Sequence, residues 1–279
     1  MGESIVLKRL HAVVVNTFAA ALAFISLFPM VWMVNTSLKT QQEFVIDTVS
    51  LPDTLAFENY RAAIETGRML TFFGNSVVTT ILSVSLIVII GFVTGYLLAR
   101  YRFPGRKVLF TLFLSGMLIP VHGLLVPIFI QFRNLGLLNR RFTLLFPYVA
   151  FGLPLAIFLF ESFVRSIPVE MEEASCIDGL NLTQVMFRII LPMTVPIMAT
   201  VIVMSFLHWW NEFPFALVLL SDDSLKTLPI GLANFKGAYS TNYTQLMAAL
   251  VIAATPVIVV YLFFYRHIMT GMIAGAVKG

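Results

Sequence analysis

The sequence predicts an all-α polytopic membrane protein with six transmembrane helices, and three observations carry that prediction. Apolar side chains make up 59% of the 279 residues and charged ones only 11%. Mean hydropathy is +0.91. A soluble domain is typically about 25% charged, so this chain lacks the polar surface that water requires. The apolar residues also come in long runs. Crossing a bilayer as a helix takes roughly 20 of them, and six stretches qualify, near 13–36, 72–99, 107–132, 143–164, 194–220 and 245–267. Each is expected to be helical, because lipid offers backbone groups no other partner.

The first run follows Lys8 and Arg9 and extends through Trp32, well past the roughly 7–15 residues of a signal-peptide core; it reads as an uncleaved span. The second is followed by Arg100, Arg102, Arg106 and Lys107 around Pro104-Gly105, and the sixth ends at Arg266 and His267. The positive-inside bias places these flanks, and with them both termini, in the cytoplasm. The polar interruption at 165–192 then falls on that side too. Arg133, Arg140 and Arg141, between the third and fourth spans, lie on the opposite side as the one exception. The external segments 37–71 and 221–244 are too short for cores of their own, so residues 1–279 read as one membrane domain.

Other classes are excluded by composition. A net charge of +4 in a membrane protein reflects orienting loops rather than nucleic-acid binding. Cys176 is the only cysteine, which excludes an intrachain disulfide and a Cys-based metal site. The chain contains no G-x-x-x-x-G-K-[ST] and no His-Glu-x-x-His, so neither a phosphate-cradling loop nor a helical zinc motif is present. No metal site and no catalytic nucleophile–base arrangement is expected.

The interruption at 165–192 has its own logic. Pro168 suits a first helical turn, and Glu170, Glu172 and Glu173 place negative charge at the positive end of a helix dipole. Gly179 can take the left-handed conformation that closes a helix. Asn181 followed by Gln184 resembles a cap for a second short helix, expected to run through Val185, Met186 and Ile189 until Pro192 ends it. Such a unit either presents a face to a soluble partner or merely shields the span ends.

The run Glu173-Ala174-Ser175, then Gly179, then Ile189-Ile190-Leu191-Pro192 resembles the EAA loop of binding-protein-dependent ABC importer permeases. Ser175 replaces the family's second alanine, a small-for-small change. Further stretches resemble the maltose-type sugar permeases: Phe57-Glu58-Asn59-Tyr60 with Asn75-Ser76, Ala99-Arg100-Tyr101-Arg102-Phe103-Pro104-Gly105-Arg106-Lys107, Trp210-Asn211-Glu212-Phe213, Leu225-Lys226-Thr227-Leu228-Pro229, and the terminal Ala274-Gly275-Ala276-Val277-Lys278-Gly279. The likeness keeps its order over about residues 51–279. It implies the type I importer permease fold, with the 165–192 loop as a cytoplasmic coupling helix. Glu173, Ala174, Ser175, Gly179, Ile189, Leu191 and Pro192 would then form the ATPase-coupling element. The resemblance also implies a second permease chain, expected to be a different polypeptide, an ATPase dimer that binds the ATP and Mg this chain does not, and an extracellular or periplasmic sugar-binding protein. The setting is a bacterial or archaeal cytoplasmic membrane. The tail residues Gly275, Lys278 and Gly279 either reach the ATPase or simply fray.

Ionisable groups within spans are functional candidates by default. Trp209, Trp210, Asn211 and Glu212 could contact a sugar, indole faces against its C–H face and polar groups on its hydroxyls. Equally, the indoles could anchor at the interface while Glu212 is satisfied by His208, four residues before it, or by a neighbouring helix. Pro214 is expected to kink this span. His122, between Pro120 and Pro127, either lines the pathway or packs. Glu161 and Arg165 have the i,i+4 spacing of an ion pair. Two rival functions remain on residues alone: a proton-coupled transporter using His208 and Glu212, and a membrane scaffold without transport.

Overall fold

A computed structural model describes residues 2–65, 67–233, 235 and 242–276. Its described residues contain helices and turns and no strands. Four helices are individually long and apolar enough to cross a membrane, and two bent pairs bring the number to six if each pair is one span. The chain divides into two compact units, one running from the N-terminus through Met69 with Leu232–Ala254, the other covering Leu70–Gly231 with the chain from Thr255 on.

The first unit contains α1 (Gly2–Ser37), α2 (Gln41–Ile46) and α3 (Glu58–Glu65). Thr40 and Glu43 form a reciprocal capping box that starts α2. Lys39 is fully buried, and its ammonium donates to the Asp47 carbonyl at 2.8 Å and to Ser50 Oγ at 2.9 Å. Asn59 acts as a clamp, donating to the carbonyls of Ser37 and Lys39 at 2.8 and 2.7 Å and accepting from Thr244 Oγ1 at 3.1 Å. The Phe57–Tyr60 stretch therefore holds together the end of α1 and the segment after it.

The second unit is built on α4 (Met69–Arg100), α5 (Arg106–Ser115), α6 (Leu125–Asn134) and α7 (Leu145–Ser166). It continues through α8 (Glu170–Ile177), α9 (Leu182–Met193), α10 (Val195–Trp210), α11 (Pro214–Leu219) and α12 (Leu228–Ala233). The last helix, α13 (Tyr243–Ala276), begins in the first unit and ends in the second. Helices α4 and α7 meet at Gly91 and Gly95. A Cβ on Gly95 would lie 2.7 Å from Phe160 Cβ, and one on Gly91 would lie 2.9 Å from Ala156 Cβ. This is the small-xxx-small contact by which helices associate in lipid, where apolar area alone gives no drive.

Polar contacts gather at two ends of this unit. At one, Asn75 donates to the carbonyls of Ser224 and Lys226, Ser76 Oγ accepts from Leu228 N–H at 2.8 Å, and Asn139 Oδ1 accepts from Ser221 N–H at 2.6 Å. At the other lie Tyr96, Arg100, Arg106, Glu161 and Glu172. The rise of α4 from Asn75 to Tyr96 is about 30 Å, the thickness of a bilayer core. Asn139, and with it the neighbouring Arg140 and Arg141, sits at the end opposite Arg100, as the chain order of spans requires.

Two expected spans are not continuous. The 107–132 run is Arg106–Leu118 and Val121–Asn134 meeting at 89°. Ile119 precedes Pro120 and is extended, with ψ 123°, because proline disfavours helical backbone in the residue before it. The 194–220 run ends its helix at Trp210 and restarts at Pro214, a break rather than a kink. Hydropathy registers side chains and is blind to both breaks.

Two outcomes test these contacts. Gly95→Val should force α4 from α7 and cost about 1–3 kcal/mol, read as a lower unfolding midpoint of the detergent-solubilised protein. The amides of Val49 and Ser50 hold the exposed Asp47 carboxyl below the usual carboxylate range, with Lys39 adding to the effect. A folded pKa below the unfolded one stabilises above the unfolded value, about 4, and that stabilisation fades as pH falls through the folded value. Pepsin cleavage within 47–57 should accelerate only in that acid window, and Asp47→Asn should remove the pH dependence.

Candidate functional site

The helix corner between α7 and α9 is positioned by ion pairs. Ile167 is extended and ends α7. Glu172, in the first turn of α8, accepts from Tyr96 Oη at 2.9 Å and pairs with the Arg100 guanidinium, whose Nη2 donates to the Ile167 carbonyl at 2.9 Å. The two charged side chains are only 10% and 12% exposed. Just inside, Glu161 accepts from Arg165 as its i,i+4 spacing foretells, and also faces Arg106 at 3.4 Å. Arg100 thus fixes the start of α8 to α4, while Arg106 ties the end of α7 to α5.

Helix α8 ends as its sequence predicts. Gly179 has φ +89°; its N–H donates to the Cys176 carbonyl at 3.0 Å and that of Leu180 to the Ser175 carbonyl at 3.1 Å. This is a Schellman closure. Asn181 and Gln184 then form a reciprocal capping box, both bonds 2.9 Å. The following helix does not stop at Pro192. Val185–Ile190 is a π turn and Leu191–Met193 continues past the proline. Proline cannot donate to the carbonyl four residues back, and the wider π turn absorbs the misfit. The sharp change of direction, 74°, comes at Thr194 between α9 and α10.

The coupling residues divide by face. Glu173, Ala174, Gly179 and Pro192 are exposed, while Ile189 and Leu191 are half-buried against the core. Ser175 is buried and donates back to the Met171 carbonyl at 2.7 Å, so its hydroxyl is absorbed within the helix. Exposed apolar groups flank the acidic ones: Met171, and Ile177 at 86% exposure. Residue-type reasoning passed over Glu172 as one acid among three. The signal for it was Arg100, placed at the end of α4 with no partner of its own.

The second candidate site is rearranged. Glu212 does not pair with His208. Its carboxylate accepts from Tyr148 Oη at 2.6 Å and from the N–H groups of Phe215 and Ala216 at 2.5 and 3.2 Å, capping α11. Both indoles are buried: Trp209 stacks on Tyr148 with ring centres 4.4 Å apart, and Trp210 on Phe206 at 5.4 Å. Asn211 is exposed and its side chain turns back to the Leu207 carbonyl. A cavity of about 280 Å³ lies beside this region, lined by Ser205, His208 and Trp209 together with Met117, Gly152 and Leu155. Trp209 and His208 line that space, whereas Trp210, Asn211 and Glu212 do not. His122 is exposed on the short turn at the break after Pro120 rather than packed. Among the described residues no group of His, Cys, Asp and Glu could hold a metal. Gly275 falls within α13, while Lys278 and Gly279 lie outside the described residues.

Residues 87–273, which hold both sites, match the family described as binding-protein-dependent transport system inner membrane component. The chain belongs to that family. It is therefore a permease, a transport-channel subunit rather than an enzyme, of the multi-pass inner-membrane class. A putative ABC transporter permease of a Caldicellulosiruptor strain is 37% identical, over 94% of this chain and 95% of its own. A diacetylchitobiose uptake system permease of Streptomyces coelicolor is 35% identical over 97% and 90%. A melibiose/raffinose/stachyose import permease of Bacillus subtilis is 32% identical over 95% and 96%. The fold is that of a chain in the crystal structure of a bacterial alginate ABC importer, with TM-score 0.81 and 24% identity over 93% of this permease and 97% of that chain.

Because Glu172 is nearly buried with its counter-ion and Glu173 is not, they should respond differently. Glu172→Ala leaves Arg100 uncompensated and should cost about 3–5 kcal/mol. Glu173→Ala should stay within about 0.5 kcal/mol. Unfolding midpoints of the two purified variants check the contrast.

Proposed function

We propose that this chain is the membrane-spanning subunit of an ATP-driven, binding-protein-dependent importer of a sugar or oligosaccharide, coupled to a separate ATPase through α8 and the loop after it. The observation that carries the coupling is the division of α8 into two faces. One is tied by Glu172 to Arg100 and Tyr96. The other leaves Glu173, Ala174 and Ile177 exposed ahead of the glycine closure. A helix so fastened passes a push on its outer face directly to α4 and α7. The acidic and apolar outer face suits a groove with basic or donor-rich walls on the ATPase. ATP and Mg belong to that partner, the partner permease is a different chain, an external binding protein delivers the sugar, and both termini are cytoplasmic.

The substrate class rests on the relatives, whose names specify diacetylchitobiose and the melibiose, raffinose and stachyose group. On this chain the candidate substrate pathway is the cavity lined by Trp209 and His208, with Trp210, Asn211 and Glu212 beside it. A proton relay through His208 and Glu212 is disfavoured: the described hydrogen bonds of Glu212 go to Tyr148, Phe215 and Ala216.

Gly179→Pro removes both the left-handed φ and the N–H that closes α8, and is expected to abolish uptake while the protein still inserts. Glu173→Lys should weaken copurification of the ATPase. Normal uptake and normal complex assembly in both variants would sink the coupling reading.

A further inference from the structure

The same corner holds a cleft that shares Tyr96, Arg100 and Glu172 with the anchor of α8 and adds three further arginines. It has a volume of about 400 Å³ and is lined by Arg100, Arg102, Arg106 and Arg165, with Glu172 the one carboxylate on its wall among the described residues. Glu161 lies behind it, shared by Arg106 and Arg165. Two carboxylates thus answer four guanidiniums, leaving two positive charges over. Arg102 is exposed and has no carboxylate partner among the described residues, and the Arg165 side chain is 59% exposed. The Arg102 donors, and those of Arg165 that Glu161 does not take, are therefore open to another anion.

Depth and rim narrow the chemistry. Arg100 is the last residue of the long apolar helix α4 and Arg165 the last but one of α7, so the cleft opens where these helices leave the hydrocarbon layer. Its lining also includes Val169 and Leu182, both exposed apolar side chains. A small hydrated ion gains nothing from such a rim. An amphiphile does, setting its anionic group among guanidiniums and its glycerol and first acyl carbons on the apolar edge. Guanidinium forks match phosphate oxygens in geometry and charge, and basic clusters just outside a span attract anionic lipid.

We propose that this cleft binds the phosphate group of an anionic phospholipid, with Arg102 and Arg165 as the donors that hold it. It does not depend on the coupling reading, because it concerns the chain and the bilayer alone.

Native mass spectrometry of the full-length chain, exchanged into detergent with phosphatidylglycerol, phosphatidylcholine or inorganic phosphate, tests it. Phosphatidylglycerol is expected to stay bound in preference to phosphatidylcholine, and Arg102→Ala to weaken that binding about tenfold. Arg140→Ala, at the opposite polar end, should leave it unchanged. Arg102 carries no ion pair among the described residues, and an unaltered elution profile of the variant excludes misfolding. Equal retention of phosphatidylglycerol by wild type and Arg102→Ala overturns the proposal. So does binding of inorganic phosphate that depends on Arg102 with no preference for the lipid, which assigns the cleft to a free anion. Loss of copurifying ATPase in Arg102→Ala with lipid retention intact would assign it to an acidic protein surface and likewise overturn it.

Discussion

The ion pair between Arg100 and Glu172 is the contact on which the polar end of this protein depends. Arg100 closes a long apolar helix and Glu172 opens a short polar one, and the Tyr96 hydroxyl and Ile167 carbonyl complete the set. A nearly buried pair repays more of its desolvation as more of its remaining donors and acceptors are met. Here most are. The consequence is geometric: the start of α8 is tied to the end of α4 and, through the Ile167 carbonyl, to the corner after α7. Glu161, with Arg165 and Arg106, repeats the device one layer deeper and draws in α5.

Around this fixed corner the backbone is deliberately broken. Pro120, Pro192 and Pro214 mark these interruptions, and the chain answers each differently. Ile119 goes extended before Pro120, a π turn precedes Pro192, and Glu212 caps the restart at Pro214. Within lipid such interruptions are tolerated only where other groups satisfy the freed backbone. Glu212 is the clearest case. It is a carboxylate among apolar side chains whose oxygens are taken by Tyr148 and two amides, so its presence is explained by architecture rather than by proton chemistry.

Much of this was readable from the chain. Span existence, the glycine closure at Gly179, the Asn181–Gln184 box and the Glu161–Arg165 pair all rest on local rules, spacing and residue type, and all appear in the structure. What escaped was set by tertiary contact. Of the two partners offered for Glu212, His208 and a neighbouring helix, the structure takes the second, Tyr148, sixty-four positions away, and sequence alone could not name that residue. The importance of Glu172 over Glu173 depends on which side of α8 faces Arg100, and three adjacent acids do not declare that. Gly91-Phe92-Val93-Thr94-Gly95 did carry a legible signal, a G-x-x-x-G in an apolar run, and it marks the α4–α7 contact.

That glycine contact has a mechanical side. With no Cβ between them at Gly91 and Gly95, α4 and α7 are too close to slide past Ala156 and Phe160, so the pair behaves as one rod. Its length from Tyr96 to Asn75 is about 30 Å, and its far end is hooked to Ser224 and Lys226. A tilt of about 10° applied at the corner displaces that far end by about 5 Å, one helical turn. Two missing methyl groups therefore set the leverage with which a small motion at one membrane face becomes a large one at the other.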